Sequence, residues 1–328
     1  MTVSSPQTRP AGRAEAHLRI AAEVRAALDS GGPVVGLETT ILAFGLPAPL
    51  NAEVGAECEA VVRAEGVQPA TLAILDGRVC AGLDAAEIAR FCSGDRAIRK
   101  VNLQNYASAL VAGVPGALTV AASLQTCALA GIRVFATGGI GGVHRDWTRS
   151  PDISGDLVAL ARFPVVTVCA GAKSILDVPA TLEALETLGV PVVGCRAAAF
   201  PLFYARGAEH PLEDNFTAEE ELARHAAAHF AVSGTGILVV TPVPEEHALD
   251  RVRLADWTGR ALEDAARDGV TGRAVTPYLL ARLEQLSGGA TLAANRALIA
   301  NNARVAARIA AALARSAPPP VNSSHPPR

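Results

Sequence analysis

Lysine is almost missing from this 328-residue chain: of 29 basic residues, 27 are arginine, and only Lys100 and Lys173 remain. An even split would leave about 14, and lysine is normally among the commonest residues. An excess of either charge is missing too. The 29 basic and 32 acidic residues leave a net −3, without the basic field of a broad nucleic-acid surface. No run approaches the roughly 18 apolar residues that cross a bilayer. The opening stretch, MTVSSPQTRPAGRAEAHLRI, has no hydrophobic signal core. Together these absences imply a cytoplasmic protein that engages neither nucleic acid nor membrane. Cys58, Cys80, Cys92, Cys127, Cys169 and Cys195 form no C-x-x-C pair, and several sit in apolar strings such as VVTVCAGA. They read as buried, reduced thiols rather than disulfides or zinc ligands.

What is present is long enough, and half hydrophobic, to bury a substantial core. Residues 1–12 read as a flexible tail and 14–32 as an amphipathic helix closed by Gly31. VVGLETTIL (34–42) reads as a strand, followed by a Gly/Pro loop and a helix from Asn51 to about Glu65. TLAILDGRVCAGL reads as a hairpin about Asp76-Gly77. Further apolar strands, IRVFATGG, PVVTVCAGA, VPVVGC and GILVVTPV, alternate with helices that include a buried GALTVAASLQTCALAG. Beyond about residue 250 the pattern is helical, ending in a long Ala-rich helix near 290–315 and a disordered Pro/Ser tail at 316–328. Thr217-Ala218-Glu219-Glu220 fits a capping box. The reading is one α/β domain over 13–315: a three-layer α/β/α fold with a largely parallel or mixed sheet and a helical C-terminal extension.

The lysine count carries chemistry. A chain rich in Ala, Gly and Pro suggests a coding bias that replaces lysine wherever arginine serves, so the survivors mark positions where it does not. Arginine stays protonated, whereas a desolvated lysine can become a free, nucleophilic amine. Lys173, in VVTVCAGAKSIL, ends a buried strand among small residues, a setting that lowers an ammonium's pKa. Lys100 equally fits chance retention. Glu38 lies inside VVGLETTI, where a carboxylate is costly unless paired or functional, and where burial raises its pKa toward that of a general acid. The alternative is a strand-end glutamate in water.

Four glycines in ATGGIGGVHR (136–145) follow an apolar strand. They fit either a tight connection or a backbone anion nest for a phosphate, flanked by Thr137 and His144. Neither a dinucleotide fingerprint nor a nucleotide P-loop is present. Asp152 and Asp156 would face one way if a helix starts there, as a hard divalent cation prefers; an ordinary acidic helix N-terminus fits equally. His225 and His229 have metal spacing but read as solvated histidines.

GLETTILAFGLPAPLN, PATLAILDGRVCAGL, FATGGIGGVHR, DISGDL, VVTVCAGAKSILD, VPVVG, the PVPEEHAL run and NNARVAARIA together resemble the pseudouridine-5'-phosphate glycosidase family, also called indigoidine synthase A-like, over about residues 30–313. The resemblance implies reversible conversion of pseudouridine 5'-phosphate and water to uracil and ribose 5-phosphate, with Mn²⁺, in a homotrimer. It implies Glu38 as proton donor, Lys173 as nucleophile and Asp152 as metal ligand. Lys100, Val120, Thr137, His144, Ser154, Gly155, Asp156 and Asn295 fall at its substrate-contact positions. The chain departs from the family pattern at VNLQNYASAL after Lys100, at Thr39-Thr40 in place of Ser-Thr, and at Trp147-Thr148-Arg149. Two rival readings remain: a Schiff-base lyase or aldolase on another ribosyl phosphate, and a non-catalytic sugar-phosphate sensor.

Overall fold

A computed structural model describes residues 17–145, 147–148, 151–270 and 275–316. The tails expected at 1–12 and 316–328 lie outside them, except for Ser316, which ends the last helix. The strands are β1 (Leu18–Ile20), β2 (Val34–Leu37), β3 (Gln68–Leu75), β4 (Arg78–Ala81), β5 (Arg99–Val101), β6 (Gly116–Leu118), β7 (Val134–Ala136), β8 (Val143–His144), β9 (Val166–Cys169), β10 (Leu176–Asp177), β11 (Val192–Cys195), β12 (Asp214–Phe216) and β13 (Ile237–Val240).

All but β8 and β10 join one mixed sheet in the order β1-β4-β3-β2-β7-β9-β13-β11-β12, with β5 and β6 branching from β3. From β3 through β2 to β12 the neighbours are parallel, in registers such as Val35 opposite Val134 and Val166 opposite Ile237. The central strands are buried along their whole length, as strands covered on both faces must be. One apolar core holds Leu124 and Cys127 from the helix Val120–Ala130. A second holds Val54 and Val62 from the helix Leu50–Ala64 and Leu298 and Ile309 from the helix Ala290–Ser316, and a third, smaller one gathers around Phe91 and Leu75. The expected three layers and helical extension are present, and among the described residues no helix is long and apolar enough to cross a membrane.

Local chemistry explains where the elements depart from the sequence pattern. Of the 14–32 segment, the described part from 17 holds a strand, Leu18–Ile20, pairing in parallel with β4, and then a helix, Ala22–Asp29, followed by Gly31 at φ 70°. GALTVAASLQTCALAG likewise opens as β6 before Thr119 caps the helix. β2 ends at Leu37. The Thr39 carbonyl accepts from the Leu42 and Ala43 N–H groups, and the Asn51 side chain takes the Leu42 carbonyl at 2.9 Å, so the chain coils over Ile41–Gly45. Local acceptors there outcompete the ladder that β-branched residues predict. The Thr217 capping box does not form. The helix Glu219–Val232 starts after Ala218 with no side-chain cap, while Glu220 pairs with Arg315 at 3.1 Å and Glu219 grips Arg196 at 2.9 and 3.0 Å.

All six cysteines are buried and free, and burial pushes the Cys58 and Cys169 thiols up to about 12, away from thiolate chemistry. His225 and His229 are half-buried rather than solvated. The first packs against Phe216 with ring centroids 5.5 Å apart, and the second bonds Thr235 at 2.9 Å.

Thr39 stitches the end of β2 to its neighbours. Its fully buried hydroxyl donates to the Leu72 carbonyl at 2.7 Å and accepts from the Leu118 N–H at 2.9 Å. A serine here would keep both bonds. Thr39→Val is expected to strand both backbone groups and lower the unfolding free energy by about 3 kcal/mol, whereas Thr39→Ser costs about 1 kcal/mol or less. Urea unfolding of the two variants checks this, and equal losses would contradict it.

Candidate active site

The C-terminal ends of the central parallel strands carry the reactive groups. Glu38 directly follows β2, Thr137 directly follows β7, and Lys173 lies four residues beyond β9. Lys100, the middle residue of β5, comes from the branch of the sheet that passes through β6 and β3. These groups share one electrostatic field. Glu38 is 9% exposed, and burial pushes its carboxyl up to about 6, against the opposing pull of Lys173, the Thr137 hydroxyl and Lys100, with Asp156 adding to the rise. Thr137 Oγ1 donates to Glu38 Oε2 at 2.5 Å. A narrow cavity lined by Leu37, Ile41, Leu42, Val54, Cys58 and Ile299 backs the Glu38–Thr137 pair. Neither lysine lines it, so it is the apolar backing of the acid rather than the side from which the amines approach.

Lys100 is exposed as a residue, yet desolvation of its amine, with help from the Lys173 charge, lowers its pKa against Glu38 and Asp156. The unusual VNLQN segment has a structural task. Asn102 and Asn105 form a reciprocal capping box, and the Asn105 side chain donates to the Lys100 carbonyl at 3.1 Å. Among the described residues every ion pair is made by arginine or by His144. The two lysines take no part in that surface network.

Asp156 organises the opposite wall. It is 6% exposed, and its oxygens accept from the Ala121 N–H at 2.9 Å and the Gly141 N–H at 2.8 Å. It thereby ties the start of the helix Val120–Ala130 to the glycine loop. Ala121 is held by Asp156 and Ala122 faces the Thr119 hydroxyl, and among the described residues no partner takes the Val120 N–H at this positive helix end. Three N–H groups of the glycine loop are taken up within the protein: those of Ile140, Gly141 and Val143 go to the Gly171 carbonyl, Asp156 and Thr181. The glycines are there for contact: a Cβ at Gly139 would strike the Phe203 ring and the Gly171 carbonyl, and one at Gly142 would strike Thr181.

The paired-aspartate geometry expected for a cation does not form. The helix starts at Gly155, capped by Ser154, so Asp152 precedes it and is exposed while Asp156 is buried and bonded. Among the described residues no cluster of three or more His, Cys, Asp or Glu side chains could hold a metal. Asp152 nevertheless offers a hard carboxylate with His144 Nε2 3.9 Å away, a donor set that fits a divalent ion keeping most of its shell as water. β8 and β10 pair antiparallel and bring His144 opposite Leu176, three residues after Lys173. Gly155 faces the Asn102 side chain. Asn295, in the second turn of the last helix, turns an unpartnered amide oxygen toward Gly138. Sequence reasoning missed Asn302. It donates to the Thr137 and Gly138 carbonyls, and its only signal was a polar residue on the buried stripe of an Ala-rich helix.

A buried acid in the field of two lysines, at the carboxyl edge of a parallel sheet, suits amine and proton-transfer chemistry. Residues 23–312 match the family model described as indigoidine synthase A like protein, and the chain belongs to that family. It is 47% identical over 300 residues to the pseudouridine-5'-phosphate glycosidase of Myxococcus xanthus, covering 91% of this chain and 99% of that one. It is also 47% identical over 312 residues to that of Streptomyces griseus, covering 94% and 96%. Among solved structures, the prealnumycin C-glycosynthase AlnA in complex with ribulose 5-phosphate superposes with a TM-score of 0.85 at 37% identity, over 91% of this chain and 97% of that one. An indigoidine synthase A-like protein from Thermotoga maritima gives 0.81 at 33%, over 96% and 100%.

The raised Glu38 pKa has a consequence for stability. The folded protein holds this proton more tightly than the unfolded chain, whose value is 4.5. The resulting stabilisation is present below pH 4.5 and is lost as pH rises through about 6. Glu38→Gln, which has no proton to lose, should therefore gain on the wild type by about 2 kcal/mol between pH 4.5 and 7.5. Denaturant unfolding at the two pH values measures the gap, and a gap that stays flat or shrinks contradicts the burial argument.

Proposed function

We propose that this protein reversibly cleaves the C-glycosidic bond of pseudouridine 5'-phosphate, giving uracil and ribose 5-phosphate through a ring-opened ribose attached to Lys173. The observation that carries the reading is the buried Glu38 carboxyl, bonded to Thr137 and lying in the field of Lys173 and Lys100. The chain that holds it is 47% identical nearly end to end to proteins named for this reaction.

A C-glycoside joins sugar to base through carbon, so protonating an exocyclic heteroatom cannot release the base. In the proposed sequence the neutral Lys173 amine forms a bond to the anomeric carbon as the ring C–O bond breaks and the ring oxygen takes a proton. The nitrogen lone pair then forms C=N as the carbon–carbon bond breaks, and the uracil carbon takes a proton from Glu38. Water hydrolyses the imine and ribose 5-phosphate departs. Burial, which holds Glu38 near 6, suits it to give and take these protons near neutrality. Lys100, the open Val120 N–H and His144 are the groups proposed to hold the phosphate, with Ser154, Gly155 and Asn295 closing around the substrate. Binding energy from the non-reacting phosphate then positions the sugar. A non-catalytic sensor would need neither the buried acid nor the amine facing it.

Mn²⁺ belongs to this reading with Asp152 as its protein ligand; when bound, such an ion orders water and polarises substrate oxygens. A homotrimer belongs to it through the family resemblance, and a cytoplasmic setting through the six unpaired thiols.

Lys173→Arg keeps the charge but cannot supply a neutral amine, so it should bind ribose 5-phosphate without turnover. Borohydride added with ribose 5-phosphate should trap one adduct, on the wild-type peptide containing Ala172-Lys173-Ser174, as read by mass spectrometry. Trapping on Lys100 instead would exchange the roles of the two lysines. Full activity in Lys173→Arg with no adduct would end the imine mechanism.

Asp152→Asn should leave the fold intact and weaken the Mn²⁺ dependence of uracil release by about 10-fold or more. A metal titration curve identical to the wild type's would remove Asp152 from the metal site.

A further inference from the structure

We propose that Asn302, on the helix Ala290–Ser316, is a positioning residue that acts on Glu38 through Thr137. The side chain is completely buried, and with Thr291 it is one of two polar residues among the buried positions of that helix. Its Nδ2 donates to the Thr137 carbonyl at 2.8 Å and to the Gly138 carbonyl at 3.1 Å. Both partners are pure acceptors, which fixes the orientation of the amide. Its Oδ1 finds no donor among the described residues. A half-satisfied buried amide is a cost that Ala or Leu at this position would avoid, so packing alone does not account for an asparagine.

The two carbonyls it holds bracket the point where β7 leaves the sheet. One belongs to Thr137, whose hydroxyl donates to Glu38. The other, on Gly138, also accepts from the Ala170 N–H at 2.9 Å, and Ala170 lies three residues before Lys173. A single amide therefore fixes the peptide that aims the Thr137 hydroxyl and shares a carbonyl with the loop leading to the amine. It touches neither the Glu38 carboxyl nor Lys173.

Losing the clamp lets the Thr137–Gly138 peptide relax, and Glu38 loses the hydrogen bond that favours its charged form. The other charged groups acting on Glu38 are Lys173, Lys100 and Asp156. They reach it from other elements and stay in place, so its titration should move to higher pH rather than vanish.

This inference rests on Glu38 being the acid–base group of the proposed reaction, and the test separates the two. Wild type, Asn302→Ala, Asn302→Asp, Thr137→Val and the Asn302→Ala/Thr137→Val double variant are compared in two ways. One is turnover of pseudouridine 5'-phosphate. The other is the pH titration of the Glu38 carboxyl, read as the infrared difference between each protein and its Glu38→Gln counterpart. Asn302→Ala is expected to lower kcat about 10- to 100-fold, to leave KM within about twofold, and to raise the pH at which Glu38 titrates. Adding Thr137→Val should change little further, because both act through one bond. Asn302→Asp has the same shape and can donate one hydrogen bond while protonated, so it should recover part of the rate at low pH and lose it as pH rises. It carries the test if the alanine variant does not fold.

An unmoved Glu38 titration in a folded Asn302 variant overturns the proposal, as do losses that multiply with those of Thr137→Val. A wild type that does not turn over pseudouridine 5'-phosphate would overturn the reaction assigned above while leaving the titration shift in place. Normal wild-type turnover with no shift overturns the positioning role alone.

Discussion

Everything at the centre of this molecule is arranged around one expensive act, the burial of the Glu38 carboxyl at the end of β2. A carboxyl withdrawn from water must be neutral, paired or hydrogen-bonded, and here all three answers are partly used. The pKa stands near 6, two lysines lie within its field, and the Thr137 hydroxyl is bonded to it. Each answer requires the parallel sheet. Only adjacent strands in register bring residues 38 and 137 side by side, and only the carboxyl edge of β9 delivers residue 173 to the same place.

The second carboxyl, Asp156, does the opposite kind of work. It spends its oxygens on two backbone N–H groups and so freezes the glycine loop against the start of a helix. Polar groups that are fully satisfied rigidify, so this wall is held in one arrangement. The glycines contribute by absence, since the Phe203 ring, Thr181 and the Gly171 carbonyl occupy the space a side chain would need.

Arginine and lysine divide their labour across the chain. Arginines hold the periphery together, Arg196 on Glu219, Arg296 on Glu57 and Arg282 on Asp264, in partly exposed pairs of modest individual value. The lysines stay out of that network. A planar, permanently charged fork suits surface pairing, whereas a lysine amine can also serve as a nucleophile.

The sequence by itself determined the layered α/β plan, because buried strands and amphipathic helices have different periods and so announce themselves locally. It also singled out Glu38 and Lys173, since a charge in an apolar string and a rare residue type are visible without any partner. It misjudged what depends on partners. The strand run through Ile41 and Leu42 became a helical turn in which Asn51 takes a carbonyl, and the helix expected to be capped by Thr217 starts after Ala218 without a side-chain cap. The Asp152–Asp156 pair separated because the helix begins at Gly155. Only the tertiary structure decided that the glycine loop packs against Phe203 and Thr181 and that the Asn105 side chain holds the Lys100 carbonyl. It also decided that Asn302, 264 positions away from Glu38, shapes the peptide facing it. Hydrogen bonds between distant strands and helices leave no periodic trace along the chain, so these roles exist only once the sheet has brought the ends of β2, β7 and β9 together.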